Sequence, residues 1–157
     1  MSSEPGGAVY WDGSAVLSAL FRDEHSKAAS KRASGSEVHL LSSLAWAEVH
    51  AVIARVERER ALAKILIAAA REALEEGPWR RLNTVPDWKL VQSLSIKWPL
   101  RGAGLWHLAA AKSLQSELPE LSFLSFDTRL AAAARGEGLG PSRRRPGSPT
   151  RRPPRHP

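Results

Sequence analysis

The sequence predicts an α/β protein, a three-layer α/β/α sandwich with a short, mainly parallel central sheet. Short runs rich in strand formers alternate with longer segments of helical periodicity, so successive strands need crossover connections rather than hairpins. At 157 residues, with 43% apolar and 25% charged residues, the chain suits one domain with a sizeable core. No wholly apolar stretch approaches a bilayer span, so no transmembrane segment is expected. The absence of cysteine excludes disulfide scaffolds, thiolate metal sites and cysteine nucleophiles. Residues 1–7 show no basic region followed by an apolar run, so no secretory signal is expected and the cytoplasm is the expected compartment.

Taken in order, Ala8-Val9-Tyr10-Trp11 reads as a first strand, and Asp12-Gly13-Ser14 as a turn and helix-capping cluster. A helix follows over Ala15 to Phe21, then a more polar one over Asp23 to Ala33 that Ser34-Gly35-Ser36 breaks. Val38 to Leu41 reads as the second strand. Ser42 or Ser43 caps a helix reaching Arg58, with Ala45, Val49, Val52, Ile53 and Val56 on one face. Ala61 to Glu76 forms a long helix ended by Gly77-Pro78. Leu82 to Val85 is the predicted edge strand, Asp87 caps a helix towards Lys97, and an alanine-rich helix spans Gly102 to Leu114. Leu121 to Phe126 is the clearest strand of the second half, and Asp127 opens a last helix through Ala134.

The net charge of +7 is mostly a property of one end. Residues 140–157 hold six arginines and no acid; setting those six aside leaves 17 basic against 16 acidic residues. This gives a flexible N-terminus (1–7), a folded domain (8–139) and a disordered Arg/Pro-rich tail (140–157). The tail could strengthen nonspecific phosphate binding or be a solvated appendage.

In open α/β folds ligands sit beyond the carboxyl ends of the strands. Asp12 and Asp127 stand there, and Glu48 lies about two turns into the helix after the second strand, bordering its apolar stripe. Three carboxylates aimed at one sheet end would repel unless a cation joined them. Oxygen ligands without Cys, and without a clear His cluster, favour Mg²⁺ or Mn²⁺ and metal-assisted phosphodiester hydrolysis. Simpler roles stay open. Asp12 and Asp127 could simply cap helices, and Glu48 could merely pair with Arg55 seven residues on. His107 is read as packed or hydrogen-bonded rather than as a ligand, and the six tryptophans as mostly core or dimer contacts.

The residues flanking these acids resemble the PIN-domain family, and within it the VapC-like toxins. Val9 to Leu17 is similar to the family's opening strand, with its first metal-binding Asp and a following Ser. Ser43-Leu44-Ala45-Trp46-Ala47-Glu48-Val49, with Arg55 beyond, resembles the motif bearing the helical Glu. Leu100 to Ala111 resembles the third motif, and Leu124-Ser125-Phe126-Asp127-Thr128-Arg129-Leu130 the fourth. The likeness spans residues 8–139 and keeps the motifs in order. It implies a PIN-like fold and an endoribonuclease toxin using Mg²⁺ or Mn²⁺ held by Asp12, Glu48 and Asp127. Ser14, Arg55, Arg101, Ser125 and Arg129 would bind or orient substrate. The implied partners are RNA, a cognate antitoxin and a second copy of the chain.

Two departures stand out. The third motif of the family carries an Asp three residues before His107, where this chain has Gly104. The alternative reading is therefore a catalytically impaired PIN-like module that binds RNA or antitoxin without cleavage. After Leu139, where the family adds a closing strand, the chain turns to Gly140-Pro141 and arginines.

Overall fold

The computed structural model describes residues 6–141. The expected tail beyond Pro141 and most of the expected N-terminal segment lie outside those residues. The chain runs β1 (Ala8–Trp11), α1 (Gly13–Leu20), α2 (Ser26–Ala33), β2 (Val38–Ser42), α3 (Ser43–Arg58) and α4 (Lys64–Glu76). It continues through β3 (Trp79–Leu82), α5 (Trp88–Lys97), α6 (Gly102–Gln115), β4 (Ser122–Leu124) and α7 (Thr128–Gly136).

The four strands form one sheet in the order β3-β2-β1-β4, and every pairing is parallel. β1 is buried along its whole length, as a parallel strand covered on both faces must be. Its side chains alternate between two cores. Ala8 and Tyr10, with Leu40 and Phe123, pack under α5, α6 and α7 against Leu94, Leu108, Leu130 and Ala134. Val9 and Trp11, with Leu41, pack under α1 to α4 against Val16, Val49, Ile53 and Ile67. The three-layer α/β/α architecture predicted from the alternation of segments is the observed one.

Local chemistry sets the helix starts. Asp12, Ser42, Asp87 and Asp127 each accept a backbone N–H of the first turn of the following helix, at Ala15, Ala45, Leu90 and Leu130. The cap of α3 is thus Ser42 rather than Ser43. At the start of α2, Asp23 accepts from His25 N and Ser18 Oγ, so the helix begins at Ser26, later than the sequence suggests.

The edge strand is Trp79–Leu82, not Leu82 to Val85. Its two arginines, Arg80 and Arg81, are exposed and mask its strand character, but they suit the rim of a sheet. Trp79 supplies the buried contact, meeting Trp11 edge-on at 5.4 Å between ring centroids. Val85, in contrast, is 78% exposed. β4 is also shorter than expected, because Ser125 and Phe126 leave the sheet to deliver Asp127 to α7. Beside it, Leu139 accepts a hydrogen bond from Phe123 N at 2.8 Å, and the described residues add no strand beyond it. Of the tryptophans, Trp11 is wholly buried, whereas Trp88 projects from α5 at 88% exposure and is no core residue.

The corrected strand assignment is testable. Leu41→Ala, in the buried β2, should cost about 2–5 kcal/mol in urea denaturation. Val85→Ala should stay within about 0.5 kcal/mol of the parent.

Candidate functional site

β1 leads to β2 and β3 on one side, and β4 returns on the other side of β1. The reversal of strand order therefore falls between β1 and β4, where open α/β sheets place their ligands. Asp12 follows β1, and Ser125 and Asp127 follow β4, so residues more than a hundred apart in sequence meet there. Asp12 N donates to Leu124 O at 3.2 Å and ties the two strand ends together. A cavity of about 760 Å³ opens at this point, lined by Asp12, Ser14, Glu48, Arg101, Gly104, His107, Asp127 and Arg129 among others.

Asp12 is 4% exposed and held by three protein donors. Ala15 N (2.8 Å) and Ser14 Oγ (2.9 Å) donate to Oδ1, and Ser125 Oγ donates to Oδ2 at 2.6 Å. Ser125 Oγ in turn accepts from Asp127 N at 3.1 Å, linking the two acidic segments through one hydroxyl. Burial raises the Asp12 carboxyl above the usual Asp range, and the bonds from Ser125, Ala15 and Ser14 oppose that shift. A buried acid that needs this much support is a common mark of a functional position.

Glu48 reaches the same cavity from α3. It does not pair with Arg55; its Oε1 lies 2.5 Å from His107 Nε2. His107 is buried on α6, as hydrogen-bonded as its sequence context suggested. A Cβ at Gly13 would stand 3.0 Å from Glu48 Cβ and 3.1 Å from Oε1, so the bare backbone there makes room for this carboxylate.

Asp127 is exposed, with Oδ1 accepting from Leu130 N at 3.0 Å. Arg101 and Arg129 are exposed residues lining the cavity, and Ser14 and Ser125 both bind Asp12. Arg55 is exposed on α3 and lines no part of the cavity, so its grouping with the site residues is not seen. At Gly104, an added Cβ would meet only Leu130 methyl carbons at 3.7 and 3.8 Å, ordinary contact distances. A Cβ would fit there without displacement. Sequence reasoning missed Tyr10 and Ser42, which bond behind His107; a tyrosine inside an apolar strand carries no signal beyond that of a core residue.

The family described as the PIN domain matches residues 9–136, nearly all of the folded part. The chain belongs to the PIN-domain family. No curated protein matches it. Among crystal structures it is similar to that of PAE2754 from Pyrobaculum aerophilum, with a TM-score of 0.56 at 16% identity, covering 83% of this chain and 82% of that one. At that identity the likeness is one of fold. PIN domains are generally Mg-dependent nucleases acting on RNA.

A divalent ion is therefore the group to test against this PIN domain's residues. Among the described residues, no group of three or more His, Asp or Glu side chains stands close enough to hold a metal as a preformed cage. Instead, three carboxylates line one cavity, and part of their oxygen is committed to protein donors. That donor set fits Mg²⁺ or Mn²⁺, which bind through one or two carboxylates and keep several waters, and it does not fit a fully protein-ligated ion.

The raised Asp12 has a definite pH signature. The folded state holds its proton more tightly than the unfolded chain, so the stability linked to this group is full below the ordinary Asp range. It falls as pH rises through the elevated pKa. Asp12→Asn should lack that decline, so its stability relative to the parent should rise between pH 4 and pH 7 in metal-free buffer. Urea denaturation of both proteins across that range checks it; each kcal/mol gained corresponds to about 2–4 °C in Tm.

Proposed function

We propose that this PIN domain is a metal-dependent endoribonuclease toxin of the VapC-like kind, held in check by a cognate antitoxin and acting as a homodimer in the cytoplasm. The observation that supports it is the sharing of one cavity by Asp12, Glu48 and Asp127 at the point where strand order reverses. Each acid comes from a different part of the chain, and two of them follow strands.

In this reading Asp12, Glu48 and Asp127 would hold Mg²⁺ or Mn²⁺ partly directly and partly through its retained waters, and the ion when bound would activate water and offset charge at the scissile phosphate. Ser14 and Ser125 keep the Asp12 carboxylate fixed and solvated within the protein. Arg101 and Arg129, exposed beside the acids, grip the phosphates on either side of the cut. The arginines of residues 143–155 add sequence-independent attraction to RNA, which weakens with salt.

A second reading is favoured by Gly104, which lines the cavity but offers no ligand. The chain would then bind RNA or its antitoxin without cutting.

RNA cleavage by the full chain separates the two. An active nuclease should lose activity in EDTA and regain it with Mn²⁺. Asp12→Asn, Glu48→Gln and Asp127→Asn should each lower kcat by about 100-fold or more, the scale of losing one preorganised electrostatic group. Cleavage that persists in EDTA rejects the metal mechanism. Gly104→Asp should raise kcat by at least about tenfold, roughly 1.4 kcal/mol of transition-state stabilisation. A parent that is silent until Gly104→Asp is introduced establishes the non-cleaving module.

A further inference from the structure

We infer that His107, backed by Tyr10 and Ser42, is a positioning residue that fixes the Glu48 carboxylate at the cavity and leaves its second oxygen for the divalent ion. The inference rests on the reading of Glu48 as a metal ligand and concerns what aims it.

Glu48 is on a long, flexible side chain that is 35% exposed, while His107 is 2% exposed. A partly solvated glutamate has several rotamers to choose from. Two features remove that choice. His107 Nε2 holds Oε1 at 2.5 Å, and the missing Cβ of Gly13 leaves a gap that the Glu48 carboxylate fills at 3.1 Å. Among the described residues nothing bonds Oε2.

The ring of His107 is itself locked from behind. Its Nδ1 lies 2.6 Å from the Tyr10 hydroxyl, which lies 3.1 Å from Ser42 Oγ; Ser42 Oγ also accepts from Ala45 N. A hydroxyl-to-hydroxyl contact can be donated from either side, and a phenol has one proton to give. With Glu48 as the terminal acceptor and a neutral imidazole, one order supplies one proton per contact. Ser42 donates to Tyr10, Tyr10 donates to His107 Nδ1, and Nε2–H donates to Glu48. This order fixes the ring tautomer, so that the nitrogen facing Glu48 carries hydrogen. Tyr10 is wholly buried and stacked on Phe123 at 5.2 Å, so the relay is anchored in the core of the sheet. Hydrogen bonds that orient ligating side chains in this manner are worth about 10- to 100-fold in metal affinity.

The test is a Mn²⁺ titration of the full chain, read as free Mn²⁺ by electron paramagnetic resonance, on six variants: His107→Leu, His107→Gln, Tyr10→Phe, Glu48→Gln, Glu48→Gln/His107→Leu and Tyr10→Phe/Glu48→Gln. His107→Leu should weaken Mn²⁺ binding about 10- to 100-fold. His107→Gln, whose amide can offer an N–H near the place of Nε2, should recover most of that loss. The double variant should bind no more weakly than Glu48→Gln alone, because His107 acts through Glu48. Wild-type affinity in His107→Leu, or the same loss whether or not Glu48 is present, overturns the inference while leaving the site intact. Should His107→Leu not fold, Tyr10→Phe removes a single oxygen and must weaken binding in the parent but not in Glu48→Gln. Failure is distinguishable at the other level too. If the parent binds no Mn²⁺, or Glu48→Gln leaves its affinity unchanged, Glu48 is no ligand and both readings fall together.

Discussion

Asp12 is an acid withdrawn from water at the seam between two parallel strands, and the local structure is arranged to tolerate it. An unpaired buried carboxylate would cost several kcal/mol. Here the cost is partly offset by the first turn of α1 through Ala15 N, by Ser14, and by Ser125 arriving from the end of β4. The same Ser125 hydroxyl takes Asp127 N, so satisfying Asp12 also sets where the second acidic segment begins. One solvation problem thus fixes the relative placement of two strand ends.

The remaining acid is managed differently. Glu48 is reached from α3, whose register follows from Ala45, Val49 and Ile53 being buried against the sheet. Glu48 lies next to that stripe, at the margin between core and cavity. There its partner is a buried histidine rather than a serine hydroxyl, and its freedom is limited by a backbone without a Cβ at Gly13. The two carboxylates so have opposite characters: Asp12 is buried and held by three donors, and Glu48 is partly solvated with one oxygen unbonded. A hard cation with a labile water shell suits such a mixed set better than a cage of equal ligands.

Gly104 is the point at which family membership and local chemistry part. The neighbouring Leu130 methyl carbons lie at ordinary contact distance from the place of a Cβ, so packing does not require glycine there. Nor does the backbone require it, since the residue lies within the first turns of α6. Neither packing nor backbone geometry therefore accounts for the glycine at this position of the cavity wall.

Much of this was legible in the sequence. The alternation of segments gave the layered parallel architecture, because only crossovers connect parallel strands, and the Asp and Ser residues before apolar runs marked the helix starts. Where two arginines sat inside a short strand, periodicity failed, since an edge strand is free to expose residues that a central one must bury. The sequence by itself also determined the identity of the three acids and the glycine at 104, because these depend on residue type after a strand or within a motif. Tertiary structure alone decided which groups meet. The partner of Glu48 turned out to be His107, 59 residues away, and not Arg55 one helical stretch along. Arg55 also lies off the cavity altogether. Such pairings depend on how α3 and α6 approach opposite faces of β1, and local spacing holds no record of a contact made across a sheet.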